Sequence, residues 1–120
     1  MKLNSVMIYT DNLDNVIPFW CDTLSFELVS DTNLGIRMIM IKASGKSETS
    51  LTFFSKEDMI KMNPEMNLET PSLMFQTTKL DEIHSKLKAK NGFVGDIMDH
   101  GGRRTFNFAD LDQNYFAIQE

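Results

Sequence analysis

Few patterns in this sequence are typical of catalysis or metal binding. The chain has two histidines, one cysteine, and an aspartate pair, Asp110 and Asp112, just before its last apolar stretch. A catalytic metal needs about three nitrogen or carboxylate ligands. His84 stands in LDEIHSKL at helical, core-facing spacing, which favours a packed or surface histidine. His100 stands in a glycine turn, where a solvated loop position is favoured and a functional contact stays open.

The sequence also has no clear motif for a catalytic nucleophile or for a phosphate-binding loop. Cys21 has no histidine beside it in the sequence, which favours a small buried thiol. The stretch GKSETS lacks the glycine spacing of a phosphate loop and leads into a predicted strand. Asp110 and Asp112 are typical of turns, where aspartates accept hydrogen bonds from nearby backbone N–H groups. We therefore assign no catalytic residue and expect no cofactor.

Length and composition predict a single domain spanning residues 1–120, with 42% hydrophobic residues. No run approaches the ~18 apolar residues of a membrane span, and the first residues lack the pattern of a signal peptide. We expect a cytoplasmic protein with no membrane partner. A net charge of −5 and scattered basic residues argue against nucleic acid as a partner.

An internal repeat organises the chain. Residues 3–53 align with residues 70–120 without a gap, at a shift of 67 (72 minus 5). The identical pairs include Ser5 and Ser72, Met7 and Met74, Asp14 and Asp81, and Arg37 and Arg104. The repeat predicts module one over residues 3–54 and module two over 70–120. The linker between them, 55–69, contains a short helix opened by the capping box Ser55 to Asp58.

Each module is predicted to be βαβββ. Module one has strands at Ser5–Thr10, Phe26–Ser30, Ile36–Ile41 and Thr49–Phe54, with a helix at Leu13–Thr23. Module two has strands at Leu73–Thr77, Phe93–Ile97, Arg104–Ala109 and Tyr115–Gln119, with a helix from Leu80 that stops at Gly92. The fold class is therefore α+β, with two βαβββ modules in tandem forming a curved mixed sheet around a cleft.

Three stretches carry a resemblance to a known family: NLDNVIPFWCDTLSFEL, ETSLTFF and GGRRTFNFADLDQNYFAI. The chain resembles the vicinal oxygen chelate superfamily of glyoxalases, bleomycin-resistance proteins and extradiol dioxygenases. It departs from the family pattern at Ser25 and Gln113, where glycine is usual, and at Leu111, where proline is usual. The resemblance implies a homodimer, but not a function, because this fold hosts both enzymes and drug-sequestering proteins.

The resemblance also implies where metal ligands would lie. They would fall on the first and last strands of each module, at Ser5, Ser50, Ser72 and Ala117. The ungapped repeat selects the same four positions. Serine hydroxyls are poor ligands and alanine offers none, so the resemblance predicts that the family's metal site is absent.

Residues of the same parity as these positions should line the cleft, because side chains alternate along a strand. The predicted ligand-binding residues are Ser5, Met7, Tyr9, Ser50, Thr52, Phe54, Ser72, Met74, Gln76, Tyr115 and Ala117, and Gln119 shares their parity. The opposite parity is almost wholly apolar and predicts a core. Arg104, with its repeat partner Arg37, either closes the cleft over an anion or forms salt bridges with acids such as Asp110 or Glu120.

The sequence thus favours a metal-independent protein that binds and sequesters a small, neutral or weakly polar organic ligand. The alternative is an enzyme, either a divergent glyoxalase-type lyase or isomerase or one with a non-standard site around His100, Arg104 and Asp110. A structural or regulatory partner protein with a vestigial cleft is the third possibility.

Overall fold

The computed structural model describes residues 1–90 and 92–120, which divide into two compact units, Met1–Thr70 and Pro71–Glu120. Each unit has one four-stranded mixed sheet with helices. The α+β class and the two tandem modules are therefore confirmed. The single domain, the module and linker boundaries and the cleft stay predictions, and Asn91, beside the predicted helix stop, lies outside the described residues.

Unit one has the strand order β1-β4-β3-β2, in which β1 runs parallel to β4 and the other pairs are antiparallel. Its strands are β1 Ser5–Thr10, β2 Glu27–Asn33, β3 Arg37–Lys42 and β4 Ser50–Ser55. Helix α1, Lys56–Met62, follows the last strand. The Ser55 side chain accepts a hydrogen bond from the Asp58 backbone N–H at 3.3 Å, which confirms the predicted helix cap.

The predicted single helix at Leu13–Thr23 is wrong in its geometry. The segment is a 3₁₀ turn, Leu13–Asn15, followed by a π-helix, Ile17–Thr23. Pro18 lacks an N–H donor, so it cannot continue a helix that began before it but fits the first turn of a new one.

Unit one packs its core between the sheet and this helical segment. Ile8, Ile39 and Phe53 are fully buried, and they alternate along their strands with residues of the other face. The Trp20 ring lies 5.8 Å from the Phe53 ring between centroids. The predicted core parity of β1 and β4 is therefore the helix-facing side of the sheet.

Unit two repeats this arrangement with the strand order β5-β8-β7-β6, in which β5 runs parallel to β8. Its elements are β5 Met74–Gln76, α2 Leu80–Ala89, β6 Met98–His100, β7 Arg103–Ala109 and β8 Tyr115–Gln119. Its core contains Leu80 and Leu87 of α2 and Phe106, Phe108 and Phe116 of the sheet.

The predicted strand Phe93–Ile97 is wrong. Only an isolated bridge, Val94 to Phe108, forms there, and the edge strand β6 begins later, at Met98. Gly95 interrupts the apolar run, and glycine weakens a strand interior because it has no side chain to pack. Among the described residues, no helix is long and apolar enough to cross a membrane.

Over residues 1–90 and 92–120, two non-glycine residues have left-handed backbone conformations. Ser25, after the π-helix, has a φ of 63°, and Gln113, in the turn before β8, has a φ of 65°. Both are positions where the sequence departs from the glycine of the family pattern. A side chain strains the backbone in this region, which explains why glycine is usual there.

Candidate functional site

The sheet face opposite the helices carries the predicted ligand residues, and we call it the site face of each unit. In unit one it includes Ser5, Met7, Tyr9, Ser50, Thr52 and Phe54, and in unit two Met74, Gln76, Tyr115, Ala117 and Gln119. None of these side chains carries a formal charge. Met7 and Met74 are 54% and 58% exposed, whereas Tyr9, Ser50 and Thr52 are buried. Ser72 precedes β5 and is exposed.

Two hydroxyl groups meet on the site face of unit one. The Ser5 Oγ lies 2.6 Å from the Thr52 Oγ1 and donates a hydrogen bond to the Ser50 carbonyl oxygen at 3.2 Å. The Ser50 hydroxyl instead donates to the Asn4 carbonyl at 3.4 Å. Ser5 and Thr52 therefore form a close pair of neutral polar groups within one sheet.

The corresponding strands of unit two pair in a different register. Ser5 pairs with Ser50, 45 residues later (50 minus 5), whereas Met74 pairs with Ala117, 43 residues later (117 minus 74). Measured from the end of the third strand, β4 starts eight residues after Lys42 (50 minus 42), and β8 starts six residues after Ala109 (115 minus 109). The connection in unit two is shorter by two residues.

This difference corrects the ungapped repeat in the last strand. The third strands confirm it, because Met40 pairs with Thr52 and its repeat partner Asn107 pairs with Ala117. Ala117 is therefore the counterpart of Thr52, not of Ser50. The face assignment survives, because a shift of two residues returns each side chain to the same face.

The predicted metal-ligand positions do not fit a catalytic divalent metal. They offer the hydroxyls of Ser5, Ser50 and Ser72 and the methyl group of Ala117, and the corrected register adds only the hydroxyl of Thr52. Such metals are held by imidazole, thiolate or carboxylate groups. Over residues 1–90 and 92–120, no three His, Cys, Asp or Glu side chains lie close enough together to hold a metal ion.

Arg37 and Arg104 each bind two carboxylates. The Arg104 Nε and Nη2 bond the Glu120 carboxylate at 2.8 and 2.9 Å, and Nη1 and Nη2 bond Asp81 at 3.1 and 2.8 Å. Arg37 likewise bonds Asp31 and Asp14. Both arginines have the core parity of their strands, since they alternate with site-face residues. The structure therefore places Arg104 away from the predicted ligand residues, and of the two alternatives for the arginines it favours salt bridges.

These ion pairs shift the pKa values of both arginines and of Asp31, Asp81 and Glu120. Hydrogen bonds from Arg104 hold the pKa of Glu120 and of Asp81 below their usual ranges, and a hydrogen bond from Arg37 does the same to Asp31. The same bonds raise the pKa of each guanidinium further above its usual value. All these groups stay charged at neutral pH.

Asp110 is a turn residue, as its position in the sequence suggested. Its Oδ1 accepts hydrogen bonds from the backbone N–H groups of Asp112 and Asn114, both at 2.9 Å, and its Oδ2 accepts one from the Asn114 Nδ2 at 3.2 Å. Burial raises the pKa of Asp110, and the hydrogen bonds from Asn114 and Asp112 oppose this shift.

The three residues of the alternative enzyme site are not assembled. Arg104 lies near the start of β7, and Asp110 follows the end of that strand six residues later, a span of roughly 20 Å at about 3.3 Å per residue. His100 is exposed on β6, where it pairs with Arg103.

The remaining reactive side chains have structural surroundings. His84 is half-buried, its Nε2 lies 2.9 Å from the Gly95 carbonyl oxygen, and its ring packs edge-on against Phe106. The carbonyl only accepts, so Nε2 carries the proton. Burial raises the pKa of the half-buried Cys21 thiol, which makes it a poor nucleophile at neutral pH.

The third strand of each sheet adds site-face residues that the sequence reasoning missed. They are Met38 and Met40 in unit one and Thr105 and Asn107 in unit two. The signal was present in RMIMIK, where Met38 and Met40 alternate with two isoleucines that are fully buried. The same face of β3 ends in Lys42.

Comparison with known proteins identifies the fold. TnmS3, an antibiotic binding protein from Streptomyces sp. CB03234, is 18% identical with a TM-score of 0.79, over 98% of this chain and 93% of that one. A glyoxalase/bleomycin resistance protein/dioxygenase superfamily member from Sphaerobacter thermophilus DSM 20745 is 20% identical with a TM-score of 0.79, over 100% and 97%. A glyoxalase family protein from Enterococcus faecalis is 17% identical with a TM-score of 0.72, over 99% and 97%. At these identities the likeness establishes the fold alone.

Sequence comparison defines the family. No curated protein matches the chain. The model of the Glyoxalase/Bleomycin resistance protein/Dioxygenase superfamily matches residues 2–118, nearly the whole sequence. The chain therefore belongs to the glyoxalase, bleomycin-resistance protein and dioxygenase superfamily.

Proposed function

We propose that the protein binds and sequesters a small, neutral or weakly polar organic molecule without a metal and without chemical conversion. The observation that carries this proposal is the chemistry of the site faces. The family's ligand positions hold hydroxyl and methyl groups, and the strand positions around them hold aromatic, thioether and amide side chains, with one lysine, Lys42, at the end of β3.

The site face of unit one suits an apolar or aromatic ligand. Tyr9 and Phe54 stack with their ring centroids 6.1 Å apart, and Met7, Met38 and Met40 lie on the same face. Methionine side chains are flexible and polarizable, so they adapt to ligands of different shape. Aromatic walls supply contact area and need no charged partner.

The site face of unit two is more polar. Gln76 and Gln119 are direct cross-strand partners, and Thr105 pairs with Gln119 on the next strand. Amide groups both donate and accept hydrogen bonds, which would orient a ligand with oxygen or nitrogen atoms. The resemblance of the fold to TnmS3, whose ligands are antibiotics, supports the same class of ligand.

The proposed assembly is a homodimer in the cytoplasm, with neither nucleic acid nor a membrane as a partner. Edge strand β2 supports the dimer. It is exposed along most of its length, with Leu28 and Val29 about half exposed, and Leu34 beyond it is 94% exposed. Light scattering should give about twice the mass of one 13.8 kDa chain, and a monomer over the micromolar range would contradict the dimer.

The glyoxalase-type lyase or isomerase is the alternative function, and no observation favours it. Arg104 is bound to two carboxylates, Asp110 holds a turn, and His100 lies apart from Asp110.

Elemental analysis and a thermal-shift screen test the proposed function. The protein is purified after growth with zinc, manganese, nickel and iron, and we expect well under one metal ion per chain. A panel of aromatic metabolites, antibiotics and simple naphthalenes is then screened. A bound compound at 100 times its Kd should add about 2.7 kcal/mol of stability, or roughly 10 °C in Tm. One tightly held divalent ion per chain, or no stabilising compound, would contradict the proposal.

A further inference from the structure

The two contacts of the Ser5 hydroxyl in unit one can both be hydrogen bonds in only one direction of proton donation. The Ser5 hydroxyl has one proton, and the Ser50 carbonyl oxygen, 3.2 Å away, only accepts, so the hydrogen bond between them requires the Ser5 proton. The 2.6 Å contact between the Ser5 Oγ and the Thr52 Oγ1 must then use the proton of Thr52. Both protons are thereby committed inside the sheet.

Because both hydroxyl protons are used in these two hydrogen bonds, the pair can only accept a further hydrogen bond. The Thr52 Oγ1 keeps its lone pairs, and within the described residues its side chain makes no hydrogen bond other than that to Ser5. Thr52 is 4% exposed, so water competes weakly for this oxygen. A ligand atom that reaches Thr52 would therefore meet an acceptor and not a donor.

The side chain beside Thr52 can move to admit such an atom. Met7 is the direct cross-strand partner of Thr52 and is half exposed. Its three rotatable bonds allow the thioether to swing aside at low cost. The hydroxyl pair also lies among the thioether and aromatic groups of the same site face, where a hydrogen bond is worth more than in water.

We propose that the Ser5–Thr52 pair is the polar anchor of the ligand site and selects ligands that present a hydrogen-bond donor, such as a phenolic O–H or an aromatic N–H. This inference rests on the proposed binding function and adds the class of ligand. A metal ion at the family's ligand positions would attract the oxygen lone pairs of a ligand. The Ser5–Thr52 pair would instead attract a hydrogen-bond donor.

Two matched probes and two variants test the inference. 2-Naphthol has a donor, and 2-methoxynaphthalene replaces it with an ether oxygen that only accepts. Their dissociation constants are measured by calorimetry for the parent protein, for Thr52→Val and for Ser5→Ala. Thr49→Val is the control, because it removes a hydroxyl that bonds only the Leu3 carbonyl, at 3.0 Å.

The expected result is a smaller preference for naphthol in Thr52→Val and tighter binding of methoxynaphthalene in Ser5→Ala. In Thr52→Val, the advantage of naphthol over methoxynaphthalene falls about threefold to tenfold, the value of one neutral hydrogen bond. In Ser5→Ala, the Thr52 proton is released toward the ligand, so methoxynaphthalene binds more tightly than it does to the parent. Thr49→Val keeps the parental ratio.

Each other outcome is decisive. A ratio that changes less than twofold in Thr52→Val, while both probes bind, overturns the inference and leaves the binding function intact. If Thr52→Val does not fold, Ser5→Ala decides by the direction of its change. If neither probe binds the parent, the inference is overturned, and if the wider panel also fails, the proposed function falls with it.

Discussion

At the scale of single residues, the left-handed positions Ser25 and Gln113 predict a gain in stability. Both have positive φ angles that cost an L-residue about 1–2 kcal/mol. Ser25→Gly and Gln113→Gly should each raise the free energy of unfolding by about 0.5–1 kcal/mol, because glycine's greater unfolded-state entropy offsets part of the relief. Urea denaturation measures the change. Ser85→Gly, in helix α2, is the control and should lower stability by about 0.5 kcal/mol.

The ion-pair system of Arg104, Asp81 and Glu120 predicts a specific dependence of stability on pH. Because the pKa values of Asp81 and Glu120 are lowered in the folded state, their contribution is complete above their unfolded values, near pH 4, and is lost as pH falls through the folded values. In Arg104→Gln that loss should disappear, so its unfolding free energy should fall less steeply below about pH 4.5 than that of the parent.

Denaturation of both proteins in urea at pH 7, 4 and 3 measures this difference. Lys61→Gln, which removes an exposed pair with Glu57, is the control and should follow the parent closely. Parallel curves for Arg104→Gln and the parent would show that the carboxylates are not held by this arginine.

The ion-pair partners of Arg37 and Arg104 could not be predicted from the sequence. The repeat placed Arg37 and Arg104 at equivalent positions, and strand parity alone would have put them on the helix side. Their acids lie 6 to 23 residues away, in a strand, a helix and the last residue of the chain. Such partners become visible only once the strand register is known.

At the scale of elements, the register of β8 is the main correction to the sequence prediction. The order of the elements and the buried face of each sheet were predicted from the alternation of apolar residues along the strands. This alternation has a period of two, so the two-residue shift in the register of β8 does not change it. The register depended on the length of the turn before β8, which the ungapped alignment ignored. The π-helix was not predicted because Pro18 changes the backbone hydrogen bonding of its segment without changing the spacing of the apolar residues.

Engineered cysteine pairs test the register directly. In a Cys21→Ser background, Asn107→Cys with Ala117→Cys should form a disulfide under mild oxidation, because these residues are direct antiparallel partners. Asn107→Cys with Gln119→Cys, the pair implied by the ungapped repeat, should remain reduced. Mass spectrometry distinguishes them by a loss of about 2 Da. Selective closure of the second pair would restore the ungapped register.

At the scale of the whole molecule, the absence of charge from the site faces of β1, β4, β5 and β8 predicts sensitivity to an added one. Met7→Lys should weaken 2-naphthol binding at least tenfold, because the ammonium group must lose water when the ligand covers it. Stability should change by less than about 0.5 kcal/mol, since Met7 is half exposed.

Ile60→Lys provides the matched control for this change. Ile60 is an apolar residue of helix α1 and is 49% exposed, close to Met7 at 54%. The same charge placed there should leave the dissociation constant within twofold of the parent. An equal loss of binding in both variants would point to net charge and not to the site face.

The paired arginines described above also bear on the origin of the chain. Asp14 with Arg37 and Asp81 with Arg104 are the same contact, made twice, with 23 residues between partners in each case. Each pair is complete within its own half, and neither borrows a residue from the other. A gene encoding half of this chain could already have specified the contact, which fits an origin by duplication. The second acid differs between the halves, Asp31 in one and Glu120 in the other, so only the first contact is repeated.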